Sequence, residues 1–116
     1  MDIEELRTFC LAFPHATEDV KWGHDLCFCI AGKMFCVTGL DAPHGVSFKV
    51  TAEEFEELSV RPGWMPAPYV ARYKWVLVKD LASESDKTLK KYIKQSYELI
   101  LAGLPAKERK KLETKK

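Results

Sequence analysis

The sequence predicts a two-layer α+β sandwich: one antiparallel β-sheet with N-terminal, middle and long C-terminal helices packed on one of its faces. Three observations predict it. Apolar residues recur at helical spacing, behind capping residues, at both ends of the chain. Between them, short apolar runs and one alternating segment are separated by turns rich in glycine and proline, which is the pattern of strands. Finally, 116 residues that are 47% hydrophobic and 30% charged suit one folded domain with a single core.

The elements follow in order. Ile3, Leu6, Phe9, Cys10 and Phe13 share one face of a helix predicted from about Ile3 to Phe13. Asp2 and Glu5 make a capping box at its start, and Pro14 stops it. Asp25–Ile30 is a strand, Ala31-Gly32-Lys33 holds a turn, and Met34–Thr38 returns. With Gly32 and Lys33 as a two-residue loop, Ile30 faces Phe35 and Phe28 faces Val37 on the core side. Cys29 then faces Cys36, and Cys27 faces Thr38, on the other side. Asp41–Gly45 reads as a turn. Val46, Phe48 and Val50 alternate with Ser47 and Lys49 in a half-buried strand.

Thr51 and Glu54 cap a short acidic helix ending near Leu58. Ser59 to Ala71, with three prolines and Gly63, is the least regular stretch and has room for a brief edge strand. Arg72 to Asp80 is predicted as a strand centred on Trp75–Val78. Ser83 is predicted to cap a helix from about Glu84 to Ala102, packed through Leu89, Ile93, Ser96, Tyr97 and Ile100 and ended by Gly103 and Pro105. No repeat or linker divides the chain. Residues 1–104 are expected to form one domain and residues 105–116 a frayed basic tail, with six basic and two acidic residues from Lys107 to Lys116.

Charge narrows the function. Eighteen Lys and Arg against seventeen Asp and Glu leave a net charge of +1, which excludes a strongly basic nucleic-acid module but not a local basic patch. No apolar run approaches the about 18 residues of a membrane span. The start Met1-Asp2-Ile3-Glu4-Glu5 is acidic and lacks a signal-peptide core. A cytoplasmic, reducing compartment with no membrane association is expected, and there the four cysteines are free thiols.

Several stretches together resemble the MmcQ/YjbR family. Phe28-Cys29-Ile30-Ala31-Gly32-Lys33-Met34-Phe35 is similar to its strand, Gly-Lys turn and strand, and Val46-Ser47-Phe48-Lys49 to the strand that follows. Pro66-Ala67-Pro68-Tyr69 before Lys74-Trp75-Val76 looks like its proline-tyrosine loop and tryptophan strand. Ser96-Tyr97-Glu98-Leu99-Ile100 is similar to the motif of its last helix, and Pro14, Thr17-Glu18 and Trp22-Gly23 fit its opening. The cysteine-rich hairpin departs from the family pattern. The resemblance implies a fold like frataxin and the secretion chaperones, in a small bacterial cytoplasmic protein, and it carries a DNA-binding assignment without an established reaction.

Four groups of residues are candidate sites. Lys33, Lys49, Arg72 and Lys74, with Trp75 and other indoles nearby, form a candidate nucleic-acid surface, because cations neutralise phosphates and aromatic rings stack on exposed bases. The competing reading is indole packing and solubilising lysines. Trp64, Met65, Pro66, Pro68 and Tyr69 form an apolar, rigid loop. Lying over the open sheet face, it would make a pocket with Trp75 and the cysteines for a protein partner or a small molecule. Alternatively, it caps the sheet.

Cys27, Cys29 and Cys36, with His24 close in sequence, are the soft donors that could approach a metal. Alternate side chains on a strand stand roughly 6–7 Å apart, a poor chelate, and no Cys-x-x-Cys occurs, so neither metal nor cofactor is expected. His15, His24 and His44 lack a specified nucleophile partner, and His44 reads as a solvated turn residue. The expectation is a monomeric, non-enzymatic protein that binds DNA weakly, or else a protein-interaction, chaperone-like or small-molecule-binding module.

Overall fold

The computed structural model describes residues 1–114, Thr114 by its backbone alone; Lys115 and Lys116 of the expected tail lie outside the described residues. The elements are α1 (Ile3–Leu11), β1 (Thr17–Lys21), β2 (Asp25–Ile30), β3 (Lys33–Gly39), β4 (Val46–Lys49), α2 (Ala52–Leu58), β5 (Trp64–Pro66), β6 (Trp75–Val78), α3 (Asp86–Ala102) and α4 (Ala106–Thr114). The six strands form one antiparallel sheet in the order β1-β2-β3-β4-β6-β5. The α+β two-layer prediction holds. The helices pack on the face that carries Phe28, Ile30, Phe35, Phe48, Val76 and Val78, all buried in one core with Leu6, Leu89 and Ile93.

Two capping boxes stand where the sequence placed them. The Asp2 side chain accepts from the Glu5 N–H at 2.8 Å, and Thr51 accepts from Glu54 at 3.2 Å. α1 ends at Leu11, two residues before the expected Phe13, because the residue preceding Pro14 is excluded from helical geometry. α3 is capped by Ser85, not Ser83. The Ser85 Oγ accepts from the Thr88 N–H at 3.1 Å, whereas Ser83 lies in a 3-10 turn and donates to the Asp80 carbonyl. The described part of the tail is helical instead of frayed: α4 brings Leu112 against the core that also buries Leu104.

β1 was not anticipated. Its residues, Thr-Glu-Asp-Val-Lys, are mostly charged or exposed, which suits the edge of a sheet. β6 begins at Trp75, later than predicted. Ala71–Tyr73 form a 3-10 turn and Lys74 is left-handed (φ 67°), so Arg72 and Lys74 lie beside the sheet rather than in it.

The β2–β3 register departs from expectation. The two-residue loop is Ala31-Gly32, both with positive φ (50° and 78°), as a type I′ turn requires. Ile30 therefore pairs with Lys33 and Cys29 with Met34. A bulge then inserts Phe35, and pairing resumes as Phe28 with Cys36, Cys27 with Val37 and Leu26 with Thr38. Phe35 and Cys36 are both buried among the helices, and the alternation reverses beyond them. Cys36 is thus in the helix-side core beside Cys10, not across from Cys29, and Val37 turns to the open face.

One α3 serine anchors this arrangement. The buried Ser96 Oγ donates to the Phe35 carbonyl at 2.6 Å and accepts from the Lys49 N–H at 2.9 Å. Tyr97 next to it donates to the Pro14 carbonyl at 2.8 Å and stacks on Phe13.

Candidate ligand groove

The helix-free face of the sheet carries side chains from alternate positions. One row across it is Cys27, Val37, Ser47 and Leu77; the next is Cys29, Met34, Lys49 and Trp75. On the other side of the Cys27 row stand Asp25, Gly39 and Gly45. Met34, Val37, Ser47, Leu77 and Trp75 from these rows, with Asp25, Gly39 and Gly45, form the floor of a cavity of about 670 Å³; Cys27 and Cys29, expected to line it, are buried beside it and do not. The Ala67–Val70 segment walls one side and Trp22 and His24, from the β1–β2 turn, the other. Gly45 keeps the floor low: a Cβ there would meet the Leu77 Cδ1 at 3.1 Å. The neighbouring loop is held by His44, which donates from Nδ1 to the Gly39 carbonyl at 2.8 Å and is half-buried rather than solvated.

Two aromatic rings stand at the rim. Tyr69 is 99% exposed and Trp22 is 65% exposed, and both have left-handed backbones (φ 68° and 56°). Such a conformation costs a non-glycine residue about 1 kcal/mol or more. Neither ring has burial to offset it, so the turns hold large apolar groups in solvent at the mouth of the groove.

The expected basic residues gather at one end of the sheet. Lys33 is exposed at the hairpin tip, and Arg72 lies 4.8 Å over the Tyr73 ring. Lys74 lies 5.1 Å over Phe55, which places it against the acidic helix α2. Lys49 donates from Nζ to the Tyr73 carbonyl, and burial together with the nearby Lys74 lowers its pKa. Among the described residues, none of these four cations pairs with a carboxylate. Trp75, grouped with them in the sequence, is buried in the groove floor.

The Trp64–Tyr69 loop divides between the two faces. Pro68 and Tyr69 border the groove, and Met65 pairs with Leu77 on the same face. Pro66 is exposed on the edge strand. Trp64 belongs to the opposite side, contrary to its expected place over the open face. It packs edge-on to Phe48 and Tyr92, donates from Nε1 to Glu84 at 3.0 Å, and carries Arg61 over its ring. Alternation explains this, since Trp64 and Met65 are neighbours on one strand and must point to opposite faces.

The cysteines are inert by environment. All four are buried. Burial and the neighbouring Cys29 push the Cys27 pKa up to about 11, burial raises that of Cys29, and burial with the Cys10 hydrogen bond raises that of Cys36. Each shift disfavours the thiolate that a nucleophile or metal ligand needs. Among the described residues, no cluster of His, Cys, Asp or Glu could hold a metal ion, and no helix is long and apolar enough to cross a membrane.

Sequence reasoning missed Asp25, Val37 and Leu77 as lining residues. The signal for Val37 was present: Ala31-Gly32 is an acceptable type I′ pair, and that choice leaves a bulge to bring both Phe35 and Cys36 inward. Leu77 follows from Trp75 by alternation.

Comparison with known proteins bears on the family and the fold. The YjbR family model matches residues 11–99. A crystal structure of a Deinococcus radiodurans protein with the DUF419 domain is similar at a TM-score of 0.84 and 27% identity, covering 96% of this chain and 87% of that one. A crystal structure of a Pseudomonas syringae protein shares the fold, with a TM-score of 0.72, 18% identity, and coverage of 85% of this chain and 98% of that one. No curated protein matches the chain.

Proposed function

The chain belongs to the YjbR family, and within that family we propose that it is a non-enzymatic binding protein whose groove on the helix-free sheet face holds a small, largely apolar ligand. The observation that carries this reading is the groove itself. Its volume of about 670 Å³ falls within the range of roughly 300–1,000 Å³ typical of small-molecule sites. Its floor is apolar at Val37, Leu77, Met34 and Trp75, with few polar groups, which is the usual composition of such sites. The rim aromatics support the reading, and the raised thiol pKa values count against nucleophilic chemistry.

A neutral fluorescent probe, N-phenyl-1-naphthylamine, tests it. The wild type should enhance the probe's emission saturably. Ser47→Phe, which places a ring on the groove floor from a half-exposed strand position, should abolish the enhancement while leaving the thermal midpoint within a few degrees. Equal enhancement by the folded variant would place the probe elsewhere and defeat the assignment.

A second reading, weak DNA binding, is favoured by Lys49, Arg72 and Lys74 near Tyr73 and Trp75, which like Lys33 at the hairpin tip have no carboxylate partner among the described residues. It predicts that Arg72→Glu with Lys74→Glu weakens binding of short single-stranded DNA at low salt. The slope of affinity against salt should fall by about one for each phosphate no longer neutralised. Unchanged binding in that double variant would eliminate this surface.

A further inference from the structure

The groove has one carboxylate at its wall, and its position selects a ligand class. Asp25 opens β2 on the helix-free face, opposite Gly39. Gly39 and Gly45 add no side chain beside it, so the floor next to the carboxylate is bare. The exposed Trp22 indole and His24 border this corner. Among the described residues, Asp25 forms no ion pair, although Lys21 is its cross-strand partner on β1. Lys21 is thus the lysine nearest this corner, on the same face as Asp25, while Lys49 stands in the Trp75 row at the other end and is tied to the Tyr73 carbonyl. The corner thus combines a carboxylate, an indole rim and room, and the surface leading away from it is apolar.

We propose, building on the groove reading above, that this corner receives the ammonium head of a small aryl-alkyl amine whose ring lies over Val37 and Leu77. The ammonium would donate to the Asp25 carboxylate and face the Trp22 ring, two interactions a neutral head cannot reproduce. Val37 is one strand across and two residues along from Asp25, about 8 Å away by sheet geometry. A ring joined to the nitrogen through two carbons covers that distance. The remaining floor toward Trp75 admits a larger ring system.

The test uses three probes of one shape: 2-phenylethylammonium, the neutral 2-phenylethanol and the anionic 3-phenylpropionate. Nuclear magnetic resonance titration of the full chain follows the indole N–H signals. Trp22 and Trp75 report on the groove, while Trp64, on the opposite face, serves as the internal control. The amine should shift Trp22 and bind about tenfold more tightly than the alcohol, the worth of a charge-assisted contact in a half-exposed site. Asp25→Asn should remove that difference and leave alcohol binding unchanged.

Equal binding of amine and alcohol, with no effect of Asp25→Asn, would overturn the amine assignment while leaving the groove reading intact. Preference for the anion would overturn it in favour of a lysine, Lys21 beside Asp25 or Lys49 at the other end. Shifts in none of the three titrations would overturn both readings.

Discussion

At the scale of single residues, Ser96 shows how a small polar side chain can hold two elements together. Leu89 and Ile93 press α3 against the sheet, and the Ser96 hydroxyl then bonds to the Phe35 carbonyl and the Lys49 N–H on adjacent strands. The Phe35 carbonyl belongs to the residue that the β3 bulge inserts, where ladder bonds are interrupted, and the Lys49 N–H lies one residue past the last β3–β4 pair, Cys36 with Phe48. Ser96→Ala would strand a buried acceptor and donor together, and should cost about 2–3 kcal/mol in urea unfolding. A loss below about 0.5 kcal/mol would mean that the backbone groups find other partners. The serine was legible in the sequence as a packed-face residue, because it falls in register with Leu89, Ile93 and Ile100. Its two partners were not, because they lie 47 and 61 positions away.

At the scale of elements, local chemistry succeeded where its partners are close in sequence. The capping boxes at Asp2 and Thr51 each close within three residues. The α3 start was misplaced because Ser83 and Ser85 are both acceptable caps. Three-dimensional structure chose between them: Asp80 takes the Ser83 hydroxyl into a 3-10 turn. Ser85→Ala should therefore lower stability by about 1 kcal/mol, and Ser83→Ala by clearly less. Chemical denaturation of the two variants decides, and a larger loss at Ser83 would move the helix start back to Glu84. β1 escaped detection for the complementary reason. Its charged, exposed residues carry no apolar alternation, and only the free edge of β2 makes it a strand.

At the scale of the whole molecule, the sheet separates two chemical environments. One face is a dry core; the other is a solvent-accessible groove with apolar walls. Buried thiols occur on both sides, Cys36 on the helix side and Cys27 on the groove side. Because burial raises the Cys27 pKa from 9.0 to about 11, the folded state keeps a proton that the unfolded chain has released. Stability is therefore fully present below pH 9 and falls as pH rises toward 11, by at most about 1.4 kcal/mol per pH unit for each such thiol. Cys27→Ala should show a shallower decline than the wild type between pH 9 and 10.5. Lys49, whose pKa is lowered, acts in the opposite direction but is common to both proteins and cancels in the difference. Identical slopes would mean that the thiol ionises alike in both states.

Sequence alone was enough for the layer architecture, the caps of α1 and α2, the edge strand in the proline-rich loop and the packed face of α3. Each of these depends on periodicity or on partners within a few residues. Only the tertiary structure decided the hairpin register, the face on which Trp64 and Cys36 lie, and the groove. The reason is the two-residue period of a strand: one inserted residue, Phe35, exchanges the faces of everything beyond it. Whether that residue bulges depends on what α1, the turn that follows α1, and α3 present to it. There, Phe13 and Tyr97 meet the Phe35 ring edge-on and Cys10 meets Cys36, from positions far away in the chain.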